Sequence, residues 1–286
     1  MSAPRKPVPR LAPPPGGKKC PARPGAPLER WTFRNAAFCL GLCGMLPGVN
    51  ACAAAQGRFT LSSGVDYSTG NYGETTATRV LYLPFTGKYE NRDWMFKLTV
   101  PRVEINGPGM VAVGDMQSGS PATRGRAGGL GDVVATVART FWQSPDQRWL
   151  VDLGGKVKLG TASAEQGLGT GENDYALYIE SYRTWRQLTL LGTLGYRVMG
   201  DTADIDFTHV WHGSVGASWR LDARQSLGAM FDWRQASSAS SGEQREYTLF
   251  HAWHLNDTYR LQTYLVKGQA TASPDWGGGL ALSVSW

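Results

Sequence analysis

Apolar and polar residues alternate along most of the chain from residue 57 onward. Trp149, Val151, Leu153, Val157 and Leu159 share one parity, and Asp152, Lys156 and Lys158 take the other. Leu227, Ala229, Phe231 and Trp233 oppose Ser226, Gly228, Asp232 and Arg234. Trp94, Phe96, Leu98 and Val100 oppose Lys97 and Thr99, and Leu61, Val65 and Tyr67 oppose Thr60, Ser62 and Asp66. Period two places such sets on opposite faces of a β-strand. Extended along the chain, the pattern predicts twelve strands, over 57–68, 77–89, 93–105, 132–142, 148–159, 174–184, 187–199, 208–221, 224–235, 244–255, 258–268 and 277–286. Within the tenth, the choice of face stays open, because Leu249 and Trp253 compete with Phe250 and Ala252. No segment of ten or more residues in this region carries helical periodicity.

The connections alternate as well. Glu90-Asn91-Arg92, Ser144-Pro145-Asp146, Trp185-Arg186, Asp222-Ala223-Arg224 and Asn256-Asp257 are tight polar turns, and the connections between them are longer and rich in Gly and Ser. The longest runs from Asn106 to Gly131. Short turns at one end and long loops at the other are the pattern of a transmembrane barrel with both termini at the short-turn end. The expected fold class is therefore all-β: a transmembrane antiparallel β-barrel of about twelve strands. The last strand adds to this. Leu280, Leu282, Val284 and Trp286 share one parity, and the sequence stops on the aromatic residue. That ending resembles the insertion signal of bacterial outer-membrane barrels, which implies the barrel-insertion machinery as a partner through the Trp286 strand.

Two features put lipid outside and water inside. Charges of both signs sit at mid-strand, which a wet lumen tolerates and a dry core does not. Trp94, Trp149, Tyr175, Trp219, Trp233 and Tyr259 lie near strand ends on the apolar parity, as in the aromatic girdles of membrane barrels. A sheet in lipid must close, because lipid cannot hydrogen-bond an open edge. Lys97, Asp152, Lys156, Lys158, Glu180, Arg197, Arg220, Asp232, Arg234 and Arg260 would then face the lumen, with Glu172 and Asp174 at a loop mouth. These charges would either neutralise one another and brace the barrel, or form a polar constriction that selects solutes. The lumen is expected to be narrow, filled in part by such side chains and by the 106–131 loop.

Charge and cysteine content change the picture at the N-terminus. The formal charge is +6, but residues 1–55 hold eight basic residues against Glu29 alone, leaving 21 basic and 22 acidic residues in the remainder. A nucleic-acid partner, which needs a basic folded face, is excluded on that ground. All four cysteines, at 20, 39, 43 and 52, lie in the same leader, so no disulfide framework is expected beyond it. Arg30 and Arg34, the apolar stretch from Ala36 to Leu46, and Ala51-Cys52-Ala53-Ala54-Ala55 form a signal-peptide layout. Residues 1–55 are thus expected to be a signal peptide with a basic, unfolded leader, and 56–286 the barrel. An uncleaved tail and a lipoprotein anchor at Cys52 are the alternatives.

A family resemblance spans nearly all of 57–286. It is carried by Asp66-Tyr67-Ser68-Thr69-Gly70-Asn71-Tyr72-Gly73, Leu98-Thr99-Val100-Pro101, Gly129-Leu130-Gly131-Asp132-Val133 and Lys156-Val157-Lys158-Leu159-Gly160-Thr161-Ala162. It continues in Leu168-Gly169-Thr170-Gly171-Glu172-Asn173-Asp174-Tyr175, Gly195-Tyr196-Arg197-Val198-Met199-Gly200, Lys267-Gly268 and Ser273-Pro274-Asp275-Trp276-Gly277. In this order they resemble the outer-membrane transporters labelled "MetA-pathway of phenol degradation". Gly160 departs from the family, where Pro is expected, and so does the long basic leader. The resemblance implies a Gram-negative outer-membrane location and passage of small organic molecules.

Other motifs weigh less. Gly167-Leu168-Gly169-Thr170-Gly171 lies between strands with no helix to follow, so it reads as a tight loop with positive φ at Gly and not as a phosphate loop. His209 and His212, and His251 and His254, are three apart, which on a strand sends the two rings of each pair to opposite faces and away from a shared metal. The expected function is passive uptake of small, aromatic or hydrophobic molecules, through the lumen or a lateral opening, with no enzyme activity, cofactor or metal. Its partners are outer-membrane lipid and the small-molecule solute. The alternatives are a non-conducting structural or surface-interaction barrel and, with less support, a lipid hydrolase using a lipid-facing Ser near Ser237–Ser241 with a His and a carboxylate or amide orienter.

Overall fold

The computed structural model describes residues 57–108, 111–113, 115–118, 125–202, 205–238 and 241–286. The leader expected over 1–55 lies outside them. Twelve long strands form the wall: β1 (Arg58–Gly70), β2 (Thr78–Glu90), β3 (Trp94–Asn106), β7 (Val133–Gln143), β8 (Trp149–Leu159), β9 (Asp174–Trp185), β10 (Leu188–Val198), β11 (Val210–Arg220), β12 (Gln225–Arg234), β13 (Gln244–His254), β14 (Tyr259–Gly268) and β15 (Trp276–Ser285). Between β3 and β7 come two two-residue strands, β4 (Ala112–Val113) and β5 (Met116–Gln117), and then β6 (Arg126–Leu130). Each long strand pairs antiparallel with its neighbours, and β1 pairs both β2 and β15, so the sheet closes. Closure gives each of the twelve wall strands a partner on both sides, the condition for a sheet in lipid, while β6 pairs with β3 alone. The backbone of Phe59 exchanges two hydrogen bonds of 3.0 Å with Trp286, extending the β1–β15 seam to the last residue.

β6 continues the line of β7 along β3: β7 pairs Trp94–Thr99, and β6 pairs Arg102–Asn106. The break falls at Gly131-Asp132, where the Asp132 side chain turns inward and is buried. Short turns all fall at one barrel end and long loops at the other, as the sequence predicts. Most of the short turns are held by their own side chains. Asn91 Oδ1 accepts from the amides of Asp93 (3.0 Å) and Trp94 (2.8 Å), and Asn256 Oδ1 accepts from Thr258 (2.9 Å) and Tyr259 (2.8 Å). Asp222 Oδ1 accepts from the amides of Arg224 (2.6 Å) and Gln225 (2.7 Å), and the Arg224 bond leads in holding this carboxyl below the usual range. A depressed carboxyl pKa contributes stability above its unfolded value, about pH 4, and loses it as pH falls through the folded value. Asp222→Asn should therefore flatten the acid limb of stability below about pH 4 and leave the pH 6–8 region flat. Urea midpoints of both proteins between pH 3 and 7 check this.

Along each strand, exposed apolar residues alternate with buried ones, because one parity faces outward and the other fills the barrel. β11 shows the outer wall plainly. Trp211, Val215 and Trp219 share the outward parity, with Val215 60% exposed midway between the two indoles. Eight residues separate the indoles, about 26 Å along a strand and about 20 Å of height at a tilt near 40°. That approximates the apolar band of a membrane barrel. In β13, Leu249 and Trp253 face outward, while Phe250 and Ala252 are buried. The face left open by the sequence is thus decided by packing.

The abundant glycines have a use on the inner face. Tyr178 lies over Gly154, Phe250 over Gly228 and Tyr264 over Gly279, each pair directly opposite in register. A Cβ on any of these glycines would fall inside the facing ring. The aromatic ring covers the bare backbone of its neighbour. Over Gly279, Tyr264 also donates from its hydroxyl to Asp66 Oδ2 (2.8 Å). Gly279→Val should push this ring aside and cost about 1–3 kcal/mol as overpacking, read as a lower urea midpoint.

Candidate functional site

The lumen is the candidate site, and pairing register orders its charges. From Lys156 on β8, the directly opposed residues run to Thr136, Lys97 and Lys88 on β7, β3 and β2. In the other direction they run to Ala176 on β9 and Arg197 on β10. Four cations therefore share one row across six neighbouring strands. Strands in a barrel are tilted, so a row perpendicular to them climbs the wall as a screw. This one rises from Lys88, near the short-turn end, to Arg197, near the long-loop end.

A second row is acidic. Asp152 on β8 opposes Glu180, which opposes Thr193, then Ser214, Asp232 and Glu246 on β13. All four carboxylates are buried. On β8, β9 and β10 the acidic row lies four residues nearer the short-turn end than the basic row. Where Lys88 and Lys97 stand low on β2 and β3, Asp152 and Glu180 stand low on β8 and β9. The basic and acidic rows are thus offset in height where they share strands.

On the short-turn side of the acidic row lies an apolar patch. Leu150, Tyr182, Leu191, Met230, Phe250 and Tyr264 project inward from β8 to β14 and form one buried cluster. The expectation of a lumen lined by charge is thus only part of the picture. Met230 shares its parity with Asp232, Tyr182 with Glu180 and Leu150 with Asp152.

Of the 106–131 connection, Val111, Asp115 and Gln117 lie inside the lumen. Val111 is buried with Val80, Tyr82, Val103, Ile105 and Leu168. Asp115 lies between two wall cations: Oδ1 accepts from Arg197 Nη2 (2.6 Å), and Oδ2 pairs with Lys156 Nζ. Farther along, Gln117 Nε2 donates to Ser237 Oγ (2.8 Å) in the loop after β12. This loop therefore spans from β8 and β10 to the β12–β13 loop.

Lys158 anchors the β8–β9 loop. Its Nζ lies 3.4 Å from Asp132 Oδ2 and 3.3 Å from Asp174 Oδ2 and donates to Thr170 Oγ1 (3.0 Å). Asp132 also accepts from the Ala162 amide (3.0 Å), and Asp174 from the Gly200 amide (3.2 Å). Asp174 opens β9 and is buried in this cluster, whereas Glu172 is exposed. Gly167 and Gly171 take positive φ, 67° and 76°, as the tight-loop reading requires.

The remaining predicted residues separate by height. Asp152, Glu180, Asp232 and Arg234 are buried inside the wall, and Lys97 is partly exposed. Arg220 sits at the short-turn rim, donating to the Arg186 carbonyl (3.1 Å), and Arg260, near the same end, donates to Gln262 Oε1 (3.0 Å). His212 is buried while His209 is exposed, and His251 Nε2 lies 3.1 Å from Gln225 Oε1. Among the described residues, no three His, Cys, Asp or Glu side chains converge as metal ligands. The Ser237 hydroxyl is bonded to Gln117 and Ser241. Lys88, Asp66, Asp115, Asp132 and Glu246 were not singled out from the sequence as lumen residues. Lys88 and Glu246 carried a signal, because each shares the inward parity of its strand.

On the outside, the wall over β1 to β9 holds an apolar concavity of about 870 Å³, lined by Leu61, Gly87, Leu98, Ala135, Gly155 and Leu177. Its depth comes from the small residues Gly87, Ala135 and Gly155.

No protein-family profile and no curated protein matches the chain. Solved structures do. The COG4313 outer membrane channel from Pseudomonas putida F1 superposes with a TM-score of 0.62 at 11% identity, covering 84% of this chain and 100% of that one. The NanC porin superposes with a TM-score of 0.51 at 10% identity, covering 78% of this chain and 98% of that one. The fold is that of the outer-membrane β-barrels, and its apolar outer wall suits a bilayer.

Proposed function

We propose that the protein is a Gram-negative outer-membrane channel for passive uptake of small organic solutes, aromatic ones among them. The observation that carries the reading is the inner wall: a basic row, an acidic row on its short-turn side, and beyond that the Leu150–Tyr264 apolar patch. A charged row gives a polar solute successive stations, and the patch receives an aromatic ring. The fold likeness to the COG4313 outer membrane channel supports the same reading. The resemblance to the phenol-degradation transporters supplies the aromatic class. Outer-membrane lipid surrounds the wall, and insertion proceeds through the Trp286 strand.

A non-conducting structural barrel is the second reading, favoured by the loop that Asp115 and Gln117 hold inside the lumen. Liposome swelling separates them. Proteoliposomes should swell in isosmotic arabinose and in phenylalanine, faster than liposomes without protein. Folded, heat-modifiable protein that gives no swelling in either would favour the structural reading.

A further inference from the structure

The contact of Asp115 is unusual in its division of labour. Both cations come from the rigid wall, at directly opposed positions on β8 and β10 with only Ala176 between them. Across two strand spacings, about 10 Å, the small Ala176 leaves room for a group to sit between the two heads. The carboxylate comes from a loop whose local strands, β4 and β5, are two residues each. One carboxylate oxygen meets Arg197, the other meets Lys156, and Arg197 Nη1 also reaches the Asp115 main-chain carbonyl at 3.5 Å. Arginine presents a planar fork suited to carboxylates, and lysine presents a point charge. Both side chains are buried, with 2% and 3% exposure for Arg197 and Lys156. Held by strands, they are set in place for a carboxylate whether or not it is tethered to this chain.

We propose that Lys156 and Arg197 form a binding site for the carboxylate of small organic anions, and that Asp115 is the internal carboxylate which such a solute displaces. Displacement would release the Asp115 end of the inward loop, while the Gln117–Ser237 contact tethers it at the other side. Lys97 and Lys88, lower on the same row, are the next cationic stations toward the short-turn end. The Leu150–Tyr264 patch, six residues nearer the short-turn end on β8, β9 and β10, would receive the solute's aromatic ring farther along its path. This names the substrate class of the proposed channel and rests on that reading for the solute's path, but the site is testable without conduction.

The test is calorimetric titration of the purified full-length protein in detergent with benzoate, and with benzyl alcohol as the uncharged analogue. A tethered competitor acts at high effective concentration, so Asp115→Asn should bind benzoate about tenfold more tightly than the wild type. Benzyl alcohol should gain nothing. Adding Lys156→Gln and Arg197→Gln to Asp115→Asn should abolish the gain. Should that triple variant fail to fold, Asp115→Asn with Lys156→Gln alone should still reduce it. Equal benzoate affinity in the wild type and Asp115→Asn would overturn the proposal, as would an equal gain for benzyl alcohol. Conductance of the same samples keeps the two readings apart. Benzoate gain without conductance in any variant upholds the site and sinks the channel. Conductance without benzoate gain sinks the site and leaves the channel.

Discussion

Val215→Arg is expected to destabilise the folded barrel in lipid by about 2–4 kcal/mol, the range for a cation at the bilayer midplane of a membrane barrel. Val215 lies on the outer face of β11, halfway between Trp211 and Trp219. An arginine there must either remain in hydrocarbon or thread its guanidinium along the wall toward an indole girdle. In a soluble barrel with a wet exterior, the same exposed substitution would be nearly silent. The adjacent inward position is a control. Ser214 is buried and opposes Asp232. Ser214→Lys should therefore cost less than Val215→Arg, because it meets a carboxylate. Urea unfolding in vesicles of both variants decides this. Equal small losses would mean that the outer wall does not face lipid.

Lys158→Met is expected to cost about 3–5 kcal/mol, the scale for breaking a buried ion cluster by removing one partner. The side chains of Lys158, Asp132 and Asp174 are almost wholly buried, and the lysine bridges two carboxylates. Without it, two buried like charges face each other across the start of the β8–β9 loop, and one must take a proton or the loop must open. Asp132→Asn and Asp174→Asn added to Lys158→Met should recover most of the loss, since no unpaired charge then remains. A loss unchanged by these additions would mean that Lys158 acts through its packing. Because Asp132 also accepts from the Ala162 amide, loosening should extend to the loop itself, read as faster hydrogen exchange over 160–173.

Strands and turns were legible because each is specified locally. A period-two stretch between turn residues needs no knowledge of its partner, and all twelve wall strands lie within two residues of their predicted bounds. β6 was missed because Arg126-Ala127-Gly128-Gly129-Leu130 has two glycines and no alternation; its pairing with β3 makes it a strand. The inner charges were legible as residues but not as rows. Placing Lys88, Lys97, Lys156 and Arg197 on one screw needs the stagger of each hairpin, which depends on turn geometry and on the irregularity between Thr140 and Trp142. The inner apolar patch escaped for a related reason. Phe250 looked no different from Leu249 until it met Gly228 across the strand pair. Asp115 sits in a Gly-rich connection with no periodicity, and its importance comes from two cations that the fold brings to it from β8 and β10.

The central claim is a conducting barrel, and single-channel recording of the purified protein in planar lipid bilayers tests it most directly. The expected record is discrete steps of small conductance, because the Asp115 loop and the inner side chains narrow the lumen, altered when aromatic solutes are added. A heat-modifiable barrel that inserts into the bilayer and stays silent at every voltage and with every solute would contradict it.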